Sequence, residues 1–508
     1  MLTTIPSAFA QANPMQQFEG QTIDEMIGSF MKEHQIPGMT LAIVQAPYIP
    51  RVVGYGSADI EHGFLASPKT LWNVGQITHG FTAVAVMQLS EAGKLSIDDA
   101  VGKHVKHLPE AWRSIPIRQL IGHRSGLPDY TREPSFDSTR VYRPEEVIAL
   151  IKDIAPAFKP GSGVTSGDTD FFLLGLVVEA ASGATYEAYV TEQQIKRLGL
   201  KNTMFTSDLA KLPQEDIAPG GKHAKFKLAG PYINPTEAAA GYAEKDGQLV
   251  PVARNSQSAW YSNGAVLSSA EDISFWDVGL AGDILLTKAS REFVYSAMKL
   301  DDGTVVPAHA GWRFPAHKGF MDITGHVPGF SSYLSRFTDP KELVCVTLCA
   351  NKEGVDLTGL ARSIAGAYNS KLGQPVAPKV MKSLESSYPV ATTVDRLEEH
   401  LKEHGVEVIA RIDHAAAAKK KGLELRPTQV LVFGNPAVGT KLMQSGPSVA
   451  LDLPLRVAVW QEADSTVWVG YDDIAETAGK HGITDQAATV KAMKEALTKA
   501  LAHATNPY

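Results

Sequence analysis

Residues 117–130 read IRQLIGHRSGLPDY, and this stretch decides how the first part of the chain is interpreted. Other distinctive stretches lie on both sides of it, separated by turns rich in Gly and Pro. They are IPGMTLAIV at 36–44, GYGSAD at 54–59, FLLG at 172–175 and PGFSS at 328–332. A fold assigned to this region has to accommodate all of them in this order.

Length and composition set broad limits on the function. The chain has 508 residues, which is enough for two or three domains. Apolar residues make up 44% and charged residues 20%, both near globular averages, so large buried cores are feasible. The net charge is −7 and there is no long basic run, which argues against nucleic-acid binding. No apolar run reaches the ~18 residues of a membrane-spanning helix, so no transmembrane segment is predicted.

Hydrophobic periodicity before residue 371 predicts strands at both ends and helices between them. We expect strands at 39–45, 51–56 and 342–350, and helices at 23–34, 78–92 and 171–182. The helix at 78–92 is apolar nearly all round, which is typical of a buried helix. Strands from both ends of a region, with helices between, predict an antiparallel sheet with a helical insertion, an α+β fold.

The chain is predicted to contain two domains. Residues 1–19 are signal-like or disordered, residues 20–370 form the first domain, and residues 371–386 are a linker. Residues 387–508 form a small α+β domain, with strands at 390–393, 407–412, 429–433, 456–461 and 465–471 and helices at 394–404 and 485–502. The turn GNP at 434–436 could bind a ligand, but a tight turn after a buried strand is the favoured interpretation.

The N-terminal residues bear on the cellular location. Residues 8–12 read AFAQA, similar to the small-residue end of a secretory signal, although the basic and apolar parts of such a signal are missing. We therefore expect a periplasmic or secreted protein, with a cytoplasmic location as the alternative.

The two cysteines, Cys345 and Cys349, lie four residues apart in a predicted strand. At that spacing they share a face but are separated by roughly 13 Å. This is too far for a disulfide, so buried, unpaired cysteines are predicted.

The stretches quoted above resemble those of the serine β-lactamase and penicillin-binding-protein superfamily. Residues 117–130 differ from the family's IRQLLTHTSGLPDY only at Ile121, Gly122 and Arg124. The resemblance implies a β-lactamase/transpeptidase-like domain over 20–370, with an antiparallel sheet, flanking helices and a helical subdomain. Residues 425–436 (LRPTQVLVFGNP) and 451–457 (LDLPLRV) resemble a small α+β domain family of unassigned function, which could also mediate homo-oligomers.

The first catalytic motif of the family is S-x-x-K at the start of the buried helix. Its serine attacks a carbonyl, and its lysine lies on the same helical face to help remove the serine proton. Residues 74–81 read VGQITHGF, which places Gln76 at the serine position and His79 at the lysine position. An amide is not a nucleophile, so this register excludes an acyl-enzyme at residue 76.

The second motif of the family is Y-x-N or S-x-N. The matching segment, 159–172, reads KPGSGVTSGDTDFF, so Ser166 stands for the tyrosine and Asp168 for the asparagine. Residues 261–263 also spell Y-x-N, but the residues that follow match a different, structural stretch of the family. Ser166 and Asp168 are therefore the preferred assignment.

The third motif is K-T-G or H-x-G on a strand that lines the cleft. The matching residues are Ile323, Thr324 and Gly325, so the small residues are kept and the cation is lost; His326 follows. The resemblance thus implies a cleft in which Thr324, Gly325, His326 and Tyr130 would contact the substrate.

Because all three motifs are altered, two functions stay open. One is a pseudo-hydrolase that binds a small molecule or peptide without turnover. The other is an unconventional hydrolase of ester, amide or peptide bonds, in which a neutral His79 accepts a proton from Ser166 or water and Asp168 orients the ring. The simpler interpretation of His79 is a hydrogen-bonded core histidine, and His123 is expected to be structural.

A metal-assisted hydrolase is a less favoured alternative. His79, Asp168 and either Asp170 or His326 could supply imidazole and carboxylate ligands, which suit zinc. None of these residues shows a ligand-spacing signature. No metal and no other cofactor is therefore predicted.

Overall fold

The structure is a computed structural model that describes residues 16–45, 48–165, 167–211, 216–217, 232–233, 238–315, 319–337, 343–373, 382–462 and 465–507. The chain divides into two compact units. The first comprises Met1–Ser296, His309–Trp312 and Asp322–Gln374. The second comprises Ala297–Ala308, Arg313–Met321 and Pro375–Tyr508. Each unit has its own sheet and its own helices.

The main sheet of the first unit joins strands from the two ends of its sequence. Its long strands are β1 (Gly38–Gln45), β2 (Tyr48–Asp59), β3 (Phe320–Val327), β4 (Phe330–Phe337) and β5 (Val344–Ala350). Their order is β3-β4-β5-β1-β2, and β5 pairs antiparallel with β1. Every residue of β5 is buried, so both faces of the sheet are covered. The predicted antiparallel sheet with inserted helices is confirmed.

The segment between β2 and β3 supplies most of the helices. The longer ones in this unit are α1 (Ile23–Glu33), α2 (Ile77–Glu91), α3 (Asp168–Ser182), α4 (Ala270–Ala281) and α5 (Thr358–Tyr368). The shorter ones are Val101–His104, Ile117–Ile121, Pro144–Ile151, Tyr186–Val190, Lys196–Leu198, Gln257–Gly264 and Lys288–Val294. As predicted, α2 is buried on all sides, from Ile77 to Leu89. A hydrogen bond of 2.8 Å between Ser274 of α4 and Thr347 of β5 links helix α4 to the sheet.

Short strands complete the described part of the first 320 residues. In chain order they are Gln17–Phe18, Gln21–Thr22, Phe64–Leu65, Trp72–Asn73, Thr203–Phe205, Asp216–Ile217, Tyr232–Ile233, Gly241–Lys245, Gln248–Val252, Val266–Ser268, Met298–Lys299, Val305–Val306, Ala308–His309 and Trp312–Arg313. Trp72–Asn73 and Thr203–Phe205 pair with the two sides of Val266–Ser268. The Val74 N–H then donates to the Val266 carbonyl at 3.1 Å, which holds the residues just before α2 in place.

The two cysteines lie on β5 and are free and buried, as predicted. Their side chains contribute to the packing of the sheet. Burial raises the pKa of both thiols, so neither is an activated nucleophile.

The second unit contains a five-stranded antiparallel sheet. Its strands are β6 (Lys382–Ser386), β7 (Glu407–Asp413), β8 (Thr428–Gly434), β9 (Leu455–Gln461) and β10 (Val467–Tyr471), in the order β6-β10-β9-β8-β7. Its helices are α6 (Val390–Glu403), His414–Lys419, Pro436–Ser445, Ile474–Lys480 and α7 (Ala487–Thr505). Apolar residues of α6 and α7 form one buried cluster with those of the central strands, including Leu397, Leu431, Val459 and Leu501. The predicted α+β character of this region is confirmed.

Two local predictions for this unit differ from the structure. The predicted strand at 390–393 is wrong, because Val390 already begins α6. The β-branched residues there resemble a strand, but Val390, Val394, Leu397 and Leu401 are buried at helical spacing. The predicted linker contains a strand, since Lys382–Ser386 pairs along β10.

The turn at 434–436 holds the N-cap of a helix, where Asn435 Oδ1 accepts the Ala437 N–H.

No single helix in the described ranges is both long and apolar enough to cross a bilayer. One pair, Asp168–Ser182 with Tyr186–Leu198, passes that test only when the two helices are combined, and it is bent by 76°.

Candidate functional site

Gln76 occupies the N-cap position of α2, where the first motif places a nucleophile. Its Nε2 lies 3.3 and 3.4 Å from the two carboxylate oxygens of Asp168. Its Oε1 accepts the backbone N–H of His326 at 2.7 Å. One carboxamide therefore links the start of α2 to the start of α3 and to strand β3, and both of its ends are engaged.

Two glycines permit this close approach of α2 to β3. A Cβ on Gly325 would lie 2.1 Å from the carbonyl oxygen of Val74, and one on Gly75 would lie 2.8 Å from the His326 nitrogen. Gly75 also has a positive φ of 52°, which side chains disfavour. The third motif thus keeps its glycine for a visible steric reason.

His79 lies one turn into α2 and is 5% exposed. Its ring stacks on Phe171, with centroids 3.9 Å apart and planes 9° apart. Its Nε2 lies 3.3 Å from Asp168 Oδ1. Burial lowers the pKa of His79 to about 3, so the imidazole is neutral near physiological pH, as expected from the sequence. A group with so low a pKa is a weak proton acceptor at neutral pH.

Asp168 begins α3 directly after the N-cap Gly167, and it is 9% exposed. It contacts Gln76, His79 and Thr131. Burial raises the pKa of Asp168, and the hydrogen bonds from its neighbours oppose that shift. The structure therefore brings together three of the four predicted catalytic positions. The fourth, Ser166, lies outside the described residues.

The predicted substrate-contacting residues divide into two groups. Thr324, Gly325 and His326 lie on β3 beside Gln76, with the His326 side chain exposed. Ile323, which the sequence aligns with the family's cation, is 1% exposed. Tyr130 is fully buried, and its hydroxyl donates to the Ala259 carbonyl at 2.6 Å. Its phenol thus supports the fold from within, and contact with a substrate stays a prediction for the β3 residues.

The sequence interpretation missed three residues beside Asp168. Asp129 lies near the end of the quoted 117–130 stretch and Thr131 directly follows it; Thr131 Oγ1 lies 2.8 Å from Asp129 Oδ1 and 3.3 Å from Asp168 Oδ2. Asn263 is fully buried and lies close enough to lower the pKa of Asp168. The signals were present, because Asp129 lies in the fold-deciding stretch and Asn263 ends the YSN segment. However, an Asp at 129 and an Asn at 263 do not by themselves predict a contact with the carboxylate of Asp168.

A second group of buried polar residues lies behind His79. Ser125 donates to Asp170, and His123 Nδ1 is 3.8 Å from Asp170 Oδ2. Burial lowers the pKa of His123 and raises that of Asp170, so both groups favour their neutral forms. This arrangement agrees with a structural His123.

The residues of the metal hypothesis are only partly assembled. His79 and Asp168 meet, but Asp170 faces Ser125 and His123 instead. Within the described ranges, no group of three or more His, Cys, Asp or Glu side chains is arranged to hold a metal ion.

Asp129 and Asp168 form an acidic pair, and this predicts an unusual pH dependence of stability. Burial, and then the charge of Asp168, raise the pKa of Asp129 from 3.8 to about 6. Between these values the folded protein holds a proton that the unfolded chain releases, so this group makes the folded state less stable as pH rises. We expect Asp129→Asn to change stability little below pH 4 and to stabilise the fold by about 1–3 kcal/mol above pH 6.

Urea unfolding of both proteins at several pH values measures this difference. Taking the difference cancels the opposite contribution of His79, whose lowered pKa makes stability fall as pH drops below that of an unfolded histidine. Asp153→Asn, at an exposed position, is the matched control and should show no such trend. A difference for Asp129→Asn that is constant with pH, or of the opposite sign, contradicts the prediction.

Comparison with known proteins places this geometry in a family. Residues 23–369 match the Beta-lactamase family, and residues 382–504 match the domain of unknown function DUF302. Protein flp of Staphylococcus aureus (strain MW2) is 26% identical over 342 residues, which cover 65% of this chain and 63% of that protein. Penicillin-binding protein 4* of Bacillus subtilis (strain 168) is 24% identical over 340 residues, covering 66% of this chain and 71% of that protein.

Solved structures show the same fold. The octameric penicillin-binding protein homologue from Pyrococcus abyssi superimposes with a TM-score of 0.57 at 21% identity, covering 88% of this chain and 89% of that one. The match to protein flp spans less than two thirds of that relative's length. The family match extends over most of the chain, and the chain therefore belongs to the Beta-lactamase family, with a DUF302 domain after it.

Proposed function

We propose that the Beta-lactamase-family region is a pseudo-hydrolase that binds a ligand in its cleft without covalent turnover. The observation that carries this proposal is the position of Gln76. Its carboxamide stands where the family's nucleophile would stand, and its Oε1 occupies the backbone N–H of His326. An amide side chain cannot form an acyl-enzyme, and the donor that could stabilise a developing oxyanion is already engaged.

The state of His79 supports the same conclusion. Its ring is buried, stacked on Phe171 and held neutral by a pKa of about 3. General bases work best when their pKa lies near the operating pH. His79 thus fills the space of the family's lysine without taking over its role.

The charge of the cleft indicates which ligands it selects. The family places cations at the positions of His79 and Ile323, and both positions are neutral here. At the second motif the acidic Asp168 replaces a neutral residue, and Asp129 lies beside it. Among the described residues, the cation paired with this acidic group is Arg132, whose Nε is 3.2 Å from Asp129 and whose side chain is 71% exposed. We therefore expect the ligand to carry an ammonium group near Asp168.

An amino-acid amide is a suitable first probe, because it combines an ammonium group with a carbonyl. A structural neighbour of 19% identity, the D-amino acid amidase from Ochrobactrum anthropi, was solved with L-phenylalanine amide. We expect calorimetry to show saturable binding of D- or L-phenylalanine amide with no hydrolysis. Asp168→Asn should weaken that binding by about tenfold, the size expected for a hydrogen bond to a charged group.

Controls separate this proposal from a conventional enzyme. Asp153→Asn should bind as the unmodified chain does, because Asp153 is exposed and makes none of the described contacts with Asp168. Fluorophosphonate and fluorescent penicillin probes should leave no adduct. An adduct mapped to residue 76, or turnover in an ester, amide and β-lactam panel, contradicts the pseudo-hydrolase proposal.

One contact favours a second candidate, the unconventional hydrolase. The distance of 3.3 Å between His79 Nε2 and Asp168 Oδ1 is compatible with a base held by an orienting carboxylate. Turnover of an activated ester that survives Ser166→Ala and disappears in His79→Ala would indicate an activated water. Turnover that disappears in Ser166→Ala would instead assign Ser166 as the nucleophile.

A further inference from the structure

A cavity of about 480 Å³ lies along α3, away from Gln76 and His79. The side chains of Val141, Tyr142, Pro144, Phe172 and Tyr261 form its apolar and aromatic walls. Gly175 of α3 makes room for this arrangement, because a Cβ there would lie 2.6 Å from the ring of Tyr261. The volume falls within the range of small-molecule sites in proteins.

The polar groups of this cavity favour a ligand that donates hydrogen bonds. Glu179 and Glu187 contribute carboxylates, and the Gln257 Nε2 donates to Glu187 at 3.2 Å. The Gln257 Oε1 is buried and has no hydrogen-bond partner among the described residues. Apart from the tyrosines, the other polar side chains that line the cavity are Ser and Thr. No Lys, Arg or His belongs to the described lining.

Tyr261 adds a polar group to the wall of the cavity. Its side chain lines the cavity and is 9% exposed, and its buried hydroxyl lies close enough to Glu179 to donate to that carboxylate. Burial, and then the charge of Glu179, raise the pKa of Tyr261, so the hydroxyl stays protonated near the carboxylate. A phenol that donates to a carboxylate keeps an acceptor lone pair on its oxygen, which a bound donor could use.

Arg140 lies beside the cavity but is already paired with another carboxylate. The Arg140 guanidinium lies over the ring of Tyr142, at 4.8 Å from the ring centroid. It pairs with Glu146 at 3.0 Å. Glu179 accepts the Tyr186 N–H at 3.0 Å and Glu187 accepts from Gln257, so both carboxylates have neutral donors and keep their charge for a cationic group that enters.

We propose that this cavity is a second binding site, which takes an organic cation with a primary ammonium or guanidinium head and an apolar or aromatic body. The head donates to Glu179, Glu187 and the free acceptors of Gln257 and Tyr261. The body packs against Phe172 and Tyr142, where aromatic faces also favour a nearby cation. The site is separate from the cleft at Asp168 and does not depend on its function.

Calorimetry on the full chain with 2-phenylethylamine tests the proposal. We expect saturable binding, with 2-phenylethanol weaker by about tenfold or more and phenylacetate not bound, because only the amine carries the positive charge. Glu179→Gln and Glu187→Gln should each weaken amine binding by about tenfold. Tyr261→Phe removes one acceptor of the ammonium group but keeps the aromatic wall, so it should weaken amine binding less than Glu179→Gln does.

Two matched variants locate the bound amine. Glu145→Gln changes an exposed carboxylate on the neighbouring helix Pro144–Ile151, and Asp168→Asn changes the cleft. Both should leave 2-phenylethylamine binding unchanged, whatever happens to phenylalanine amide. Absence of saturable binding, equal weakening by Glu145→Gln, or loss confined to Asp168→Asn would overturn the proposal. Circular dichroism of each variant confirms that the fold is retained.

Discussion

Gln76→Ser combined with His79→Lys is expected to make the chain react covalently with fluorophosphonate and penicillin probes at position 76. The serine would stand at the N-cap of α2, a position held by the packing of the whole buried helix. Removal of the glutamine amide would also free the His326 N–H to donate to a developing oxyanion. The lysine amine would take the place of the imidazole beside Asp168, where its neutral form can accept the serine proton.

Gln76→Ser alone separates the nucleophile from the base. In that variant His79 remains buried with a pKa of about 3, so it accepts the serine proton poorly. We expect the double variant to label at least about 100-fold faster, the lower end of what a general base contributes. Gln76→Ala with His79→Lys should not label at all.

Mass spectrometry of the labelled peptide identifies the modified residue. An unreactive double variant that is folded by circular dichroism would show that more than the nucleophile and base have been lost from the cleft. Labelling of the unmodified chain at the same rate would show that residue 76 is not the site of attack.

Asp277→Ala is expected to destabilise the first unit by about 3–5 kcal/mol, because it leaves a buried guanidinium without its partner. Arg336 is 5% exposed and forms an ion pair with Asp277, including a bond of 3.0 Å from its Nε to Oδ2. Its charge also lies 5.1 Å from the ring centroid of Tyr295. Without the carboxylate, the remaining contacts offset little of the cost of burying the charge.

Urea unfolding followed by tryptophan fluorescence measures this loss. Most of the seven tryptophans lie in the first unit, because only Trp460 and Trp468 come after residue 374. Asp277→Asn keeps an acceptor for Arg336 and should cost less than the alanine. Glu192→Ala removes the partner of Lys196 in an exposed pair and should change stability by about 0.5 kcal/mol or less. Equal effects of Asp277→Ala and Glu192→Ala would contradict the role of burial.

Much of the fold was predictable because its signals are local. Residue patterns with a helical or strand period identified α2 as a buried helix and β5 as a core strand, and both lie within two residues of the predicted bounds. The strand predicted at 390–393 is wrong because tertiary packing overrides the local preference there. Val and Thr favour strands locally, but the apolar face of α6 packs against the sheet of the second unit and extends the helix to Val390.

The candidate site was predictable only in its residue identities. The sequence by itself determined that residue 76 is an amide and that residue 79 is a histidine, which is what the proposed loss of the nucleophile rests on. It also assigned Asp168 to the site through its position in the second motif. These conclusions need only the side-chain chemistry and a correct register.

The tertiary structure alone decided how those residues interact. It placed the Gln76 carboxamide on a backbone N–H 250 positions later in the chain, and it brought Asp129 next to Asp168. It also set the protonation states, because burial lowers the pKa of His79 and raises that of Asp129. Distances across the fold and the loss of water around a charge arise only when distant segments pack together, and no local pattern of residues encodes them.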